Sequence, residues 1–107
     1  MTASTNAHKP AIFDSCGFLI DPSVWSVDLA ERIAQTDGLG DLNELQIGLL
    51  HALRNEFARH GSVPALSHVC HLTGQSPDCL QHLFPNPRIA WRVAGLPDPG
   101  EEARTYL

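Results

Sequence analysis

The sequence predicts a mainly α protein: a five-helix orthogonal bundle with a small N-terminal β-hairpin and a C-terminal arm. Three observations predict it. Apolar residues recur at helical spacing in two long stretches, Trp25 to Ile33 and Leu42 to Phe57. Three short segments then repeat one pattern of cap, proline or polar start, apolar pair and glycine stop. Between Phe13 and Gly17, turn residues separate two short β-prone runs.

Residues 1–8 are polar and small and read as a disordered tail, leaving 9–107 as a single domain. Lys9 to Phe13 and Gly17 to Ile20 flank Asp14, Ser15 and Cys16, which suggests the hairpin. Asp21 and Pro22 suit the cap and first position of a helix, on which Trp25, Leu29 and Ile33 share a face, and Asp37 and Gly38 end it. Asp41 and Glu44 resemble a capping box opening the second helix. Leu42, Leu45, Leu49, Leu53 and Phe57 fall on one face of it, widened by Ile47 and Leu50. His60 and Gly61 close it. Ser62 caps a third helix running to about Thr73, Ser76 and Pro77 start a fourth, and Asn86 and Pro87 start a fifth that stops at Gly95. From Leu96 to Leu107, Pro97, Pro99 and Gly100 predict an extended arm.

The chain carries 7 Lys plus Arg against 12 Asp plus Glu, a net charge of -5. That disfavours broad nucleic-acid binding, which depends on neutralising phosphates. No apolar run approaches the ~18–20 residues that cross a membrane, and the first ten residues lack the apolar core of a secretory leader. A cytoplasmic protein is therefore expected. In that reducing compartment Cys16, Cys70 and Cys79 are expected as thiols rather than disulfides.

Two stretches carry a family resemblance. Asp14, Gly17, Phe18 and Leu19 are followed by Trp25. Later, Leu83, Phe84 and Pro85 precede Ala94, Gly95, Leu96, Pro97, Asp98 and Pro99. Between them, Leu53, Arg54, Phe57 and Val63 to Ala65 fit the same pattern. Over about residues 11–100 the chain resembles the sulfur-relay family of DsrC, the gamma subunit of dissimilatory sulfite reductase, and TusE, the tRNA-thiolation relay protein. The resemblance implies a helical fold with an N-terminal hairpin and a mobile arm. It also implies a persulfide-carrying cysteine on the arm and, in some members, a second cysteine just before the Ala-Gly-Leu-Pro stretch.

This chain departs from that pattern at both places. Trp91 stands where the second cysteine would be, and the arm cysteine would fall near Glu102. Sulfur carriage needs a thiolate, which neither side chain provides. The expectation is a non-catalytic regulatory or partner-binding paralogue, associated with a protein of the sulfur-trafficking or sulfite reductase machinery. It would have no conventional enzymatic activity and no cofactor. Two alternatives are a sulfur carrier with a relocated thiol, Cys79 or Cys70, and a DNA-binding regulator using a helix-turn-helix-like segment around Gly61, Ser62 and Gly74. The candidate recognition helix, Val63 to Thr73, offers Ser67, His68 and His71 but no Lys or Arg, so the DNA reading is poorly charged.

Cys70 falls on the apolar side of its helix and Cys79 in the first turn of the next, where a small buried hydrophobe is the commoner role. His68, Cys70, His71, Cys79 and His82 are close in sequence, but their spacing is not that of a zinc site, so no metal is expected. Arg88 and Arg92 lie four apart on one helix face beside Trp91. With Arg54, these three form the candidate binding set, because Trp and Arg are enriched at binding hot spots. The competing reading places Trp91 between the arm and the body.

Overall fold

A computed structural model of the protein describes residues 12–105 and Leu107. The 1–8 tail and the start of the expected hairpin lie outside the described residues. Among the described residues, six α-helices follow a single 3-10 turn: α1 (Val27–Thr36), α2 (Glu44–His60), α3 (Leu66–Leu72), α4 (Cys79–Leu83), α5 (Pro87–Val93) and α6 (Glu101–Arg104).

The hairpin is corrected to a single bridge. Among the described residues no strand forms, and only Phe13 and Leu19 pair, antiparallel. The reason is local. The Asp14 carboxylate accepts from the backbone N–H groups of Cys16 and Phe18, at 2.9 and 3.0 Å. Those bonds tighten the chain into a side-chain-held turn and satisfy amides that would otherwise seek a ladder.

The first helix also starts later than expected. Asp21 caps only the 3-10 turn Pro22–Val24, and Trp25 is extended at φ -69°, ψ 143°. Ser26 then caps α1 by accepting from the Leu29 amide. The break lets the Trp25 indole N–H turn back and donate to the Val93 carbonyl at 2.8 Å.

In α2 the capping box is made by Asn43 and Gln46, not by Asp41 and Glu44. The Gln46 side chain serves twice. Its oxygen accepts from the Asn43 amide, and its nitrogen donates to the Leu83 carbonyl at the end of α4, at 2.7 Å. Gln46→Ala is therefore expected to cost about 1–2 kcal/mol, as typical cap losses do, read as a lower urea midpoint. A change below a few tenths would mean that neither bond stabilises the fold.

Leu49, Leu50 and Leu53 are buried as the apolar spacing predicts, whereas Leu45 in the first turn stays 56% exposed. The short helices begin later than expected: α3 follows Ala65 and α4 follows Asp78, neither with a side-chain cap. Only α5 starts as predicted, with Asn86 accepting from the Ile89 amide and Pro87 at the first position.

The core joins α1, α2 and α5 around Leu49, Leu53, Trp91 and Val93, and the α3–α4 corner closes it through Val69, Cys70, Cys79 and Leu80. The arm is not extended throughout. Leu96 is buried, Glu101–Arg104 makes one helical turn, and Leu107 packs against the core.

Candidate functional site

Trp91 is fully buried. It packs edge-on against Phe57 with ring centroids 5.3 Å apart, and its indole N–H donates to the Pro97 carbonyl at 2.7 Å. The exposed patch predicted around it is therefore absent; the indole joins the root of the arm to the core, as aromatic side chains with one polar handle often do.

Arg88 and Arg92 do share a face, but the N-terminal turn covers it. Arg92 donates to the Gly17 carbonyl at 2.8 Å and to both carboxylate oxygens of Asp37 at 2.7 and 2.6 Å. Arg88 lies over the Phe18 ring, 5.0 Å from its centroid, and reaches the Cys16 carbonyl at 3.4 Å. Gly17 lies at φ +89°, a conformation that favours glycine, and a Cβ there would stand 3.0 Å from Arg92 Nε.

Arg54 sits apart from this pair. Its guanidinium donates to the carbonyls of Ala94, Gly95 and Pro22, at 2.8, 3.3 and 3.0 Å, and lies 4.5 Å from the Trp25 ring centroid. Burial lowers its pKa, yet a guanidinium remains charged at neutral pH. The structure thus does not bring the four candidate binding residues together as one surface. Each ties the turn, the end of α5 or the arm to the body.

The fallback thiols are corrected more sharply. Cys70 and Cys79 form a disulfide with Cα atoms 5.8 Å apart, where free thiols are the sequence expectation. Both are buried, and the tight turn after α3 brings the two short helices side by side, within the separation a disulfide spans. Cys16 is the free cysteine. Arg104, on the last helical turn of the arm, donates to its sulfur at 2.8 Å and pairs with Asp98 at 3.5 Å. Glu102 is exposed on the same turn.

One unusual group escaped the sequence reading. Glu56 is only 4% exposed, with Arg59 at 3.4 Å and His60 and His68 each at 3.6 Å. The available signal was its place on the apolar stripe, seven residues after Leu49. Among the described residues, no group of three His, Cys, Asp or Glu side chains is arranged to hold a metal ion. A hollow of about 370 Å³ lies between the N-terminal turn and α1, lined by Phe13, Gly17, Leu29, Arg32, Ile33 and Arg92 among others. Among the described residues, no helix is long and apolar enough to cross a membrane.

These features define a small helical domain whose C-terminal arm is drawn onto the body by the Trp91 indole and the Arg104 guanidinium. The chain belongs to the DsrC-like family: the family model described as DsrC like protein matches residues 5–101. Several solved structures are similar, two of them as follows. The oxidized gamma-subunit of the dissimilatory sulfite reductase (DsrC) from Archaeoglobus fulgidus is 28% identical, with 83% of this chain and 89% of that chain covered and a TM-score of 0.70. Dissimilatory sulfite reductase I (DsrI) is 24% identical, with 82% and 86% covered and a TM-score of 0.71, a likeness of fold. No curated protein sequence gives a significant match.

Proposed function

We propose that this protein is a partner-binding, regulatory member of the DsrC-like family, acting with the sulfite reductase or sulfur-trafficking machinery without carrying sulfur on its arm. The observation that carries the reading is Trp91, buried where the resemblance places a relay cysteine. An indole cannot form a persulfide, and residues 80–107 contain no cysteine. Likeness to a sulfite reductase gamma-subunit supports a protein partner in that machinery.

The test has two arms. Purified protein is incubated with a persulfide donor and weighed intact, and it is titrated against purified dissimilatory sulfite reductase. Saturable binding without a reducible gain of one sulfur atom is expected. A stable, reducible sulfur adduct would overturn the reading.

A second reading, a carrier with a relocated thiol, is favoured by one contact only: Arg104 beside the Cys16 sulfur. Its thiol would be Cys16 rather than Cys70 or Cys79, which the disulfide occupies. An adduct mapped to Cys16 would select it. The DNA-binding reading gains no support, because α3 has seven residues and no basic side chain besides histidine.

A further inference from the structure

The Cys70–Cys79 bond joins two particular elements. The helices α3 and α4 have seven and five residues, and neither has a side-chain N-cap bond. By contrast, α1, α2 and α5 are each capped by Ser26, Asn43 and Asn86. Helices this short do not hold themselves together in water. The cross-link spans a sequence separation of nine and fastens the two segments of the core with the weakest local support.

We propose that Cys70 and Cys79 form a reversible thiol–disulfide switch that sets the order of the α3–α4 corner, with a dithiol reductant of the oxidoreductase class as its partner. The inference does not depend on the function proposed above. Its chemistry is a two-electron exchange. A thiolate of the reductant attacks Cys79 Sγ, forming a mixed disulfide, and Cys70 Sγ leaves as a thiolate and takes a proton. The second thiol of the reductant then attacks its own sulfur in the mixed disulfide. Cys79 leaves and is protonated, and the reductant is left oxidised.

Cys79 is the point of attack because of where it sits. It follows the exposed residues Ser76, Pro77 and Asp78 and retains 3% exposure, whereas Cys70 has none. Opening only the turn before α4 uncovers Cys79. Reaching Cys70 requires dismantling α3. Intracellular disulfides are most often transient or redox-sensing rather than permanent, and burial makes this one respond to a partner that can open the corner.

Reduction should leave the α1, α2 and α5 core intact. It removes the covalent link but none of the bonds of Arg54, Arg92 or Trp91.

The experiment compares oxidised and dithiol-reduced full-length protein by amide hydrogen exchange, with the double variant Cys70→Ala/Cys79→Ala as a permanently unlinked form. Reduction is expected to raise exchange in residues 66–84 on the order of 100-fold, the factor a cross-link across so short a loop supplies, while Leu49 to Leu53 keeps its protection. A dithiol oxidoreductase lacking its resolving cysteine should be trapped on Cys79.

Three results would overturn the proposal. One is a disulfide that native protein never yields to a dithiol. Another is equal exchange in the two forms. The third is global unfolding of the reduced wild type and of the double variant alike. Trapping on Cys70 would overturn the assigned point of attack.

Discussion

Trp91→Ala should destabilise the fold by about 3–5 kcal/mol, the usual range for removing a buried large aromatic side chain. Three losses act together. The side chain is fully buried, so its removal leaves a cavity that its neighbours only partly fill. Phe57 loses its edge-on partner. The Pro97 carbonyl loses its donor, which costs about 1–3 kcal/mol if it stays buried. Trp91→Phe separates these effects: it keeps an aromatic partner for Phe57 but not the N–H, so it should cost less than Trp91→Ala and still weaken the hold on the arm. Urea denaturation gives the totals, and limited proteolysis after Leu96 reports the arm. A loss below about 1.5 kcal/mol for Trp91→Ala would place the indole outside the core.

Gly95→Ala should also be severe, by about 2–5 kcal/mol. Gly95 lies at φ +68°, where an L side chain costs roughly 1–2 kcal/mol. In addition, its Cβ would overlap the Trp25 indole, and overpacking typically adds about 1–3 kcal/mol. Trp25 cannot simply step aside, because its N–H is bonded to Val93 and Arg54 lies over its ring. The double variant Trp25→Ala/Gly95→Ala isolates the steric part. Relative to Trp25→Ala alone, Gly95→Ala should then cost only the backbone conformational term. If the cost of Gly95→Ala is the same in both backgrounds, the clash is not what makes glycine necessary.

Much of the helical framework was legible because its signals are local. Asn86 followed by Pro87 opens α5, and Gly61 closes α2 in the left-handed conformation that glycine adopts freely. Leu49 and Leu53 face inward as their spacing requires. The family was legible too, from the Gly95, Leu96 and Pro97 stretch beside Leu83, Phe84 and Pro85, and the match over residues 5–101 agrees.

Misreadings arose where a side chain competes with a simple local rule. Asp14 holds a turn in place of a hairpin. Asn43 displaces Asp41 as a cap because Gln46 can answer it. The candidate site was the least legible part. Arg54, Arg88 and Arg92 read as surface cations, yet each bonds backbone carbonyls 32 to 75 positions away, and Arg92 also pairs with Asp37. No periodicity carries that information. The disulfide escaped for a similar reason, since compartment chemistry argued against it and only the packing of α3 on α4 reveals it.

Arg54 has a kinetic consequence. It sits in the middle of α2, a helix able to form early, but the three carbonyls it holds belong to Pro22, Ala94 and Gly95. Those bonds can close only after both ends of the chain have returned to the body, and bringing distant segments together is the slow, entropically opposed part of folding. Arg54 therefore acts as a late latch. Weakening it should accelerate unfolding far more than it slows folding, so a protein whose helices assemble at an almost normal rate would nevertheless have a short native lifetime.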